Sequence, residues 1–256
     1  MPNTLIQAWQ LRLRSEELQI LERMIGRVGS TARAVPATLT SFLAIVGNEF
    51  QGELMVVGRA VNRWNIEWAP SDAKSDAAAG ELARRTLWTV ISDSQCPMSW
   101  VTDNWGTSAG YNTRRSAFWR GVRGVVDLLK IADVDTRTWP SKLVWSNLYK
   151  IAPHRGGNPS GSLRRLLQDD SIELFRAELS AYAPQRILFL TGIEWARPFI
   201  EGLGWVTKGR ASSGIVEAIG DFPRSGRSGG AYVVAVHPQG KPRITWATEV
   251  VQAFAR

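Results

Sequence analysis

Four short apolar runs constrain the fold of this chain more than any other feature of its sequence. Each run is rich in Val, Ile and Leu, lacks regular alternation with polar residues, and ends in a polar residue or a Gly/Pro cluster. The runs cover residues 53–58, 142–147, 186–192 and 231–238. Apolar runs without alternation predict strands that are buried on both faces, as in a parallel sheet covered by helices.

Helical patterns separate and flank these runs. They cover residues 80–92, 116–131, 162–181 and 194–203. Strands that alternate with helices predict an α/β fold. The specific expectation is a three-layer α/β/α sandwich with a central, mainly parallel four-stranded sheet.

The first 50 residues are also predicted to be helical. Apolar residues recur at helical spacing among Arg and Glu between Leu11 and Met24, with Ser15 as the helix start, and a second amphipathic stretch runs from Pro36 to Phe50. No long charged block or Pro/Ser/Gly-rich linker divides the sequence. We therefore expect a single domain over residues 1–256, with 1–50 as a helical extension packed on it.

The charge of the chain points towards nucleic acid as a partner. It has 31 Lys and Arg against 23 Asp and Glu, a net charge of +8. A basic protein attracts polyanions, although a basic enzyme that is merely soluble fits the charge equally well. The Gly- and Ser-rich stretch at 206–230, which contains Arg210 and Arg227, predicts a basic surface loop. That loop is either simply solvated or in contact with phosphates.

Several chemistries are excluded by the residues that the chain lacks. Cys96 is its single cysteine and it has two histidines, too few for a structural zinc site or a zinc deaminase. The sequence has no phosphate-binding loop, dinucleotide fingerprint or nucleophile elbow. It also shows no signal-peptide pattern and no apolar run of membrane-spanning length. We expect a cytoplasmic monomer that uses neither a metal nor a cofactor.

Polar residues follow the apolar runs, where an α/β sheet binds its ligands. They are Asn62, Asn147, Gly192 and His237. Asn147 closes the second run, and the fourth run breaks at His237-Pro-Gln-Gly240. Without any knowledge of families, Asn147 satisfying a turn and His237 capping a strand remain alternatives to a functional role.

Together with Arg115-Ser-Ala-Phe-Trp119, these two segments resemble the uracil-DNA glycosylase superfamily, especially its single-strand-selective monofunctional branch. In that family one strand ends in an Asn that reads the flipped pyrimidine, and a later strand ends in a His-Pro-Ser-Pro-like motif. The family also has a Gly/Ala-x-Phe-Trp helix start between its first motif and the strand that ends in that Asn. The resemblance extends in order and spacing from about residue 50 to the end of the chain.

The resemblance implies a monofunctional DNA glycosylase, which hydrolyses the N-glycosidic bond of a pyrimidine turned out of the DNA. Asn147 would offer one donor and one acceptor to the base edge. A neutral His237 would donate to the base as it leaves as an anion. Gly58, Ala60 and Trp64 would complete the base pocket, which requires the side chains of Asn147 and His237 to face one cavity.

The resemblance also implies DNA contacts. Lys241 and Arg243 follow the His motif, where family members insert a side chain into the gap left by the base; Arg243 is the candidate, and an ordinary exposed basic turn is the alternative. Arg210 and Arg227 would contact phosphates. No lysine is placed for a Schiff base, so the expected product is an abasic site.

The first family motif is where this chain departs from the pattern. The family has Gly-x-Asp-Pro-Tyr or Gly-x-Asn-Pro-Gly, and its Asp or Asn positions the attacking water. This chain has Gly58-Arg-Ala60-Val-Asn62, so Ala60 occupies that position and Asn62 is the candidate substitute. Carboxylates that could act instead are Glu67, Asp93 and Asp103.

The absence of the motif's Tyr predicts a roomier pocket, because that ring excludes large C5 substituents in uracil-specific members. The expected substrate is uracil or a C5-modified cytosine, including a glucosylated one as in hypermodified phage DNA, which implies DNA repair or anti-phage defence. One alternative is a non-catalytic reader of modified DNA, which Ala60 favours. Another is an enzyme acting on free nucleosides or nucleotides, against which the net charge argues.

Overall fold

The computed structural model describes residues 14–31, 35–91, 96–210, 214–224 and 228–256. The chain forms two compact units. The first comprises Met1–Ala44, Arg59–Asp93 and Asn147–Tyr182, and the second comprises Ile45–Gly58, Ser94–Ser146 and Ala183–Arg256.

The helices and strands follow one another in a mixed α/β order. The helices are α1 (Ser15–Ser30), α2 (Asp76–Val90), α3 (Trp100–Asp103), α4 (Ala117–Leu128), α5 (Gly161–Tyr182), α6 (Ile193–Gly202) and α7 (Arg243–Phe254). The strands are β1 (Leu39–Ser41), β2 (Ile45–Val46), β3 (Leu54–Ala60), β4 (Leu143–Tyr149), β5 (Ile151–Pro153), β6 (Arg186–Phe189), β7 (Val206–Gly209), β8 (Val216–Phe222) and β9 (Gly230–Ala235). The α/β fold class is therefore confirmed.

A seven-stranded mixed sheet forms the centre of the second unit, with the order β2-β4-β3-β6-β9-β8-β7. Strands β3, β6 and β9 pair in parallel, whereas β2 pairs antiparallel with β4, and β8 pairs antiparallel with both β9 and β7. The four predicted strands are all present as β3, β4, β6 and β9. The prediction of a four-stranded sheet is wrong, because three further strands extend it.

The stretch 206–230, predicted as a surface loop, contributes two of those strands, β7 and β8. Its Gly and Ser content suggested a loop, but Gly220 lies within β8. A Cβ at this position would lie 2.6 Å from the ring of Tyr232. The glycine therefore lets a strand pass close to an aromatic ring. The loop prediction is wrong over β7 and β8.

Helices α4 and α7 pack against each other in the second unit. A Cβ at Gly121 would lie 3.1 Å from both Trp246 and Pro238, and one at Gly124 would lie 3.1 Å from Ala247. Small residues on α4 therefore allow a close helix contact beside the turn that follows β9. The sequence prediction contained no helix after Lys241-Pro242, so α7 is a helix that it missed.

Helices α1, α2 and α5 build the first unit, together with the antiparallel pair β1 and β5. Helix α1 begins at Ser15 as predicted. The second predicted helical stretch, 36–50, is wrong: it contains the strands β1 and β2. Leu39 bonds through its backbone to Trp68 at 2.8 and 3.0 Å, and β1 pairs with β5, so long-range pairing overrides the local helical pattern.

The other predicted helices are confirmed within a few residues, as α2, α4, α5 and α6. None of the helices in the described part of the chain combines the length and the apolar composition needed to cross a membrane.

Candidate active site

One edge of the seven-stranded sheet gathers several of the predicted site residues. Because β3, β6 and β9 run parallel, their carboxyl ends meet at the same edge, which brings Gly58, Gly192 and His237 together there. The Gly192 amide donates to the carbonyl of Ala235 at 3.0 Å. Gly192 has a φ of +79°, which favours glycine at the start of α6.

His237 lies two residues beyond β9 and is half-buried. Its Nδ1 accepts a hydrogen bond from the backbone amide of Gln239 at 3.2 Å. In a neutral imidazole one nitrogen accepts and the other carries the proton, so this bond assigns the proton to Nε2. A neutral His237 therefore has its N–H on the side of the ring away from the turn.

The backbone around His237 is fixed by packing and by a hydrogen bond. The indole N–H of Trp246 donates to the carbonyl of Val236 at 2.9 Å. Pro238 is buried, and a Cβ at Gly121 would lie 3.1 Å from its ring. Helix α7 thus holds the residue before His237, and helix α4 packs against the proline after it.

The predicted DNA-binding residues Lys241 and Arg243 are both exposed. The amide of Lys241 donates to the carbonyl of Pro238 at 3.1 Å, and Arg243 begins α7. The next residue, Ile244, is 74% exposed. A large exposed apolar side chain beside two cations is suited to insertion between bases. The position of Ile244 directly after Lys241-Pro242-Arg243 could have identified it as a candidate for insertion, but the sequence prediction did not include it.

Arg210 lies at the same edge of the sheet as His237. Strands β7 and β9 both pair antiparallel with β8, so their carboxyl ends point the same way, and Arg210 follows β7 directly. Its side chain is exposed. Arg227 lies outside the described residues.

An arginine-rich segment of the second unit was not predicted. Residues 104–126 contain four Arg and no Asp or Glu. The exposed members are Arg114, Arg115 and Arg120. Tyr111, 57% exposed, lies with its ring centroid 6.4 Å from that of Trp100, and the Arg123 guanidinium lies 5.6 Å from the centre of the Trp105 ring. Exposed cations interleaved with aromatic rings suit the backbone and bases of a nucleic acid.

Asn147 belongs to the first unit and is 2% exposed. It lies within β4, which continues to Tyr149, so it is not a turn residue. Its carbonyl accepts a hydrogen bond of 2.6 Å from the ammonium group of Lys150, whose side chain is fully buried. The backbone at Asn147 is therefore held by a buried charge.

Asn62, the candidate for orienting water, is exposed in the first unit, two residues beyond Ala60 at the end of β3. Its amide oxygen lies against Gly156, where a Cβ would be 2.7 Å away. Gly156 has a φ of +102°, so both conformation and space favour glycine there. Arg63 has a φ of +55° and donates from Nε to the carbonyl of Arg155 at 3.3 Å. The loop after β3 thus packs on the loop after β5.

The alternative carboxylates have different environments. Glu67, 52% exposed, lies 3.4 Å from Nε2 of His154 in the first unit. Asp103, in the second unit, is paired with the guanidinium of Arg137 at 2.6 Å. Asp93 lies outside the described residues. His154 is the other histidine of the chain, and the sequence prediction missed it because it follows a strand too short to predict.

The indole N–H of Trp64 donates to the hydroxyl of Thr89 at 2.8 Å, and its ring meets Phe42 edge-on at 5.3 Å. Trp64 is half-buried. These contacts within the first unit fix the indole, so Trp64 offers a rigid surface rather than a mobile side chain.

A groove of about 610 Å³ in the first unit contains none of the predicted site residues. Its lining includes Glu22, Arg23, Arg27 and Asp76. Both of these arginines are paired with Asp170, at 2.9 and 3.0 Å. Because opposite charges compensate one another there, the groove offers no net attraction for DNA.

Among the residues that the structure describes, no three His, Cys, Asp or Glu side chains are grouped to hold a metal ion. No protein-family model matches the chain, and no curated protein matches it. The resemblance to the uracil-DNA glycosylase superfamily therefore rests on the residues quoted above.

Proposed function

We propose that this protein is a monofunctional DNA glycosylase that hydrolyses the N-glycosidic bond of a flipped-out pyrimidine. The hydrogen bond from the Gln239 amide to Nδ1 of His237 carries the proposal most directly. It fixes the neutral tautomer in which Nε2 carries the proton. That tautomer is the one that can donate to the base as it leaves as an anion.

Asn147 is the residue proposed to read the base. A carboxamide presents one acceptor and two donors, which match the edge of a pyrimidine. Its burial supports this role, because hydrogen bonds discriminate best where water does not compete. The proposal requires that Asn147 and His237 face one cavity within a three-layer α/β/α arrangement, as they do in the family.

Asn62 is proposed to orient the attacking water. Its contact with Gly156 limits the freedom of the carboxamide, which supports a positioning role. A carboxamide cannot take the proton as a strong base, so the water would be oriented rather than deprotonated. The mechanism then relies mainly on stabilising the leaving base at His237.

The proposed substrate is uracil or a cytosine modified at C5 with a hydroxymethyl or glucosylated hydroxymethyl group. Ala60 and the absence of the motif's Tyr leave space where uracil-specific members have a ring. Release of all three bases would be compared by mass spectrometry. Release of uracil alone would reject the roomier pocket and leave a uracil-specific enzyme of DNA repair.

The basic residues of the second unit are proposed to hold the DNA backbone. Arg210, Lys241 and Arg243 are exposed, and the arginine-rich segment adds further positive charge. Ile244, rather than Arg243 alone, is suited to fill the gap left by the base. The logarithm of the DNA-binding constant should fall linearly with the logarithm of salt concentration. The magnitude of that slope should decrease by about 1 for each phosphate contact removed.

The decisive experiment measures abasic sites after incubation with DNA that contains each base. His237→Ala should lower the rate by about 10²–10³. Gln239→Ala is the matched control, because the donor to His237 is the backbone amide, which the variant retains. If both residues act on one base, Asn147→Ala combined with His237→Ala should lose less activity than the product of the single losses.

The second candidate function is a reader that grips modified DNA without cutting it. Ala60 favours it, because the family's water-positioning side chain is absent from that position. Tight binding to modified DNA without abasic sites would establish the reader. Near-wild-type turnover of Asn62→Ala would instead retain the glycosylase and refute only the role of Asn62.

A further inference from the structure

A buried network of charged side chains in the first unit has no role in the mechanism proposed above. Lys150 and Glu178 are 0% exposed, and Glu17 and Arg14 are 1% and 7% exposed. Nζ of Lys150 lies 2.7 Å from Oε1 of Glu178. A fully buried lysine paired with a fully buried glutamate is uncommon in a protein interior.

The second pair of the network lies at the start of α1. Arg14 binds the carboxylate of Glu17 at 2.6 Å and donates to the carbonyl of Ala44 at 2.9 Å. The hydroxyl of Tyr182, at the end of α5, donates to the other oxygen of Glu17 at 2.6 Å. The network therefore contains two cations and two carboxylates and connects α1, α5 and the segment after β4.

Such a network does not serve stability well. Removing charges from water is costly, and replacing a buried ion pair with apolar side chains of similar volume is often neutral or stabilising. Burial lowers the pKa of Lys150, and the neighbouring carboxylate of Glu178 opposes this shift. An apolar side chain would fill the same space without this conflict, so a contribution other than stability is needed to account for the charged pair.

The geometry indicates what that is. Nζ of Lys150 donates on one side to Glu178, at 2.8 Å, and on the other to the carbonyl of Asn147, at 2.6 Å. An ammonium group has three donors in a fixed tetrahedral arrangement, so Glu178 fixes the direction from which Lys150 holds Asn147. The bond acts on the backbone of the residue proposed to read the base.

We propose that Lys150 is a positioning residue, which, held by Glu178, fixes the backbone of Asn147 so that its carboxamide meets the base at a defined angle. This inference rests on the proposed function. It assigns Lys150 no contact with the substrate and no covalent step. Loss of the bond should therefore lower discrimination between bases more than it lowers the chemistry at His237.

The test replaces both charges at once, as Lys150→Met with Glu178→Leu, so that no buried charge is left without its partner. The expected variant is folded and at least as resistant to heat as the wild type. Amide hydrogen exchange at residues 147–149 should accelerate. The ratio of kcat/KM for the preferred base to that for a disfavoured pyrimidine should fall about tenfold or more, since a small misplacement of a reading group has large effects on rate.

The control removes the other half of the network through Arg14→Met, Glu17→Leu and Tyr182→Phe. It keeps the bond from Lys150 to Asn147 and should retain wild-type discrimination. Equal losses in both variants would assign the network a merely structural role and overturn the inference.

The two hypotheses fail in distinguishable ways. If the wild-type protein releases no base, the proposed function is refuted, and hydrogen exchange still decides whether Lys150 holds Asn147. Wild-type exchange at residues 147–149 in the double variant overturns the inference whatever the activity. If that double variant does not fold, Lys150→Met with Glu178→Gln keeps the volume of the glutamate, leaves no buried charge and still removes the donor to Asn147, so unchanged exchange at residues 147–149 in this variant overturns the inference equally.

Discussion

The two units of this protein differ in what they bury. The second unit buries apolar strands and aromatic rings, with three of its tryptophans at most 2% exposed (Trp119, Trp139 and Trp246). It leaves the candidate side chains of His237 and of its basic residues half-buried or exposed. The first unit buries Asn147 together with five charged side chains, four of which form the network that includes Lys150. The second unit thus has its polar candidate side chains near the surface of an apolar interior, whereas the first unit has charged side chains in its interior.

This difference shows two ways of holding a candidate functional residue. His237 is oriented by packing, through the buried ring of Pro238, and by hydrogen bonds from Trp246 to Val236 and from Gln239 to its own Nδ1. Asn147 is instead held by the ion pair of Lys150 with Glu178. Packing tolerates changes that conserve volume, whereas a buried ion pair tolerates the loss of both charges far better than the loss of one. The predictions below depend on that contrast.

Lys150→Met tests the contrast most strongly. It removes one member of a buried pair and leaves the Glu178 carboxylate without compensation, so we expect a loss of about 3–5 kcal/mol in the free energy of unfolding. Urea denaturation followed by tryptophan fluorescence would measure it. The matched control is Lys142→Met in the second unit, where Lys142 pairs with the half-exposed Glu49 at 3.3 Å. An exposed pair contributes about 0–1 kcal/mol, so similar losses in the two variants would contradict the contrast.

Leu188→Ala tests the apolar interior of the second unit. Leu188 lies in β6 at the centre of the sheet and is 0% exposed. Its truncation leaves a cavity and should lower the free energy of unfolding by about 2–5 kcal/mol. Leu188→Met, which conserves most of the volume, should lose less than about 1.5 kcal/mol by the same denaturation assay. A larger loss for Met than for Ala would show that shape, and not buried volume, dominates this sheet.

Alkaline pH should destabilise both units through tyrosines whose pKa is raised by burial. Burial raises the pKa of Tyr149 and raises that of Tyr182 well above its ordinary value in the first unit, and it also raises the pKa of Tyr111 and Tyr232 in the second. A tyrosine with a raised pKa stabilises the fold fully below its ordinary pKa of 10.0, and this contribution is lost as the pH rises further.

The lowered pKa of Lys150 has the opposite effect, because the unfolded chain keeps that proton up to the ordinary value of 10.5. The net loss of stability should therefore begin above about pH 10.5. Tyrosinate absorbance measured against pH would follow this alkaline transition, and amide hydrogen exchange would show which unit unfolds. Tyr182→Phe should delay the transition, and an unchanged midpoint in that variant would contradict the assignment to Tyr182.

The sequence predicted the parts of this fold that follow from local patterns. The unbroken apolar runs identified β3, β4, β6 and β9, and helical spacing identified the main helices. Strand β8 was missed because Gly220 and the surrounding Gly and Ser residues mimic a loop, although tertiary packing against Tyr232 requires a glycine. Short strands such as β1 were missed because their pairing partners are distant in sequence.

The candidate site was predictable to a different extent. His237 lies just beyond the end of β9, as the sequence suggested, whereas Asn147 lies inside β4 and not at its end. The roles of Lys150 and Glu178 could not be predicted, because a Lys and a Glu far apart in sequence have the appearance of surface residues. Only the three-dimensional contacts show that both are buried.

Lys130→Gly should have the smallest effect and the opposite sign. Lys130 follows α4 with a φ of +56°, and the amides of Lys130 and Ile131 close the helix by donating to the carbonyls of Asp127 and Val126. Glycine adopts this conformation without steric strain, so the variant should gain about 0.5–1 kcal/mol. The lost ion pair to Asp127, at 3.5 Å and largely exposed, subtracts little. Thermal unfolding would measure the gain in stability. Because this gain arises from backbone conformation alone, base release should stay at the wild-type rate. A loss of stability would show that the Lys130 side chain contributes more than its exposure indicates.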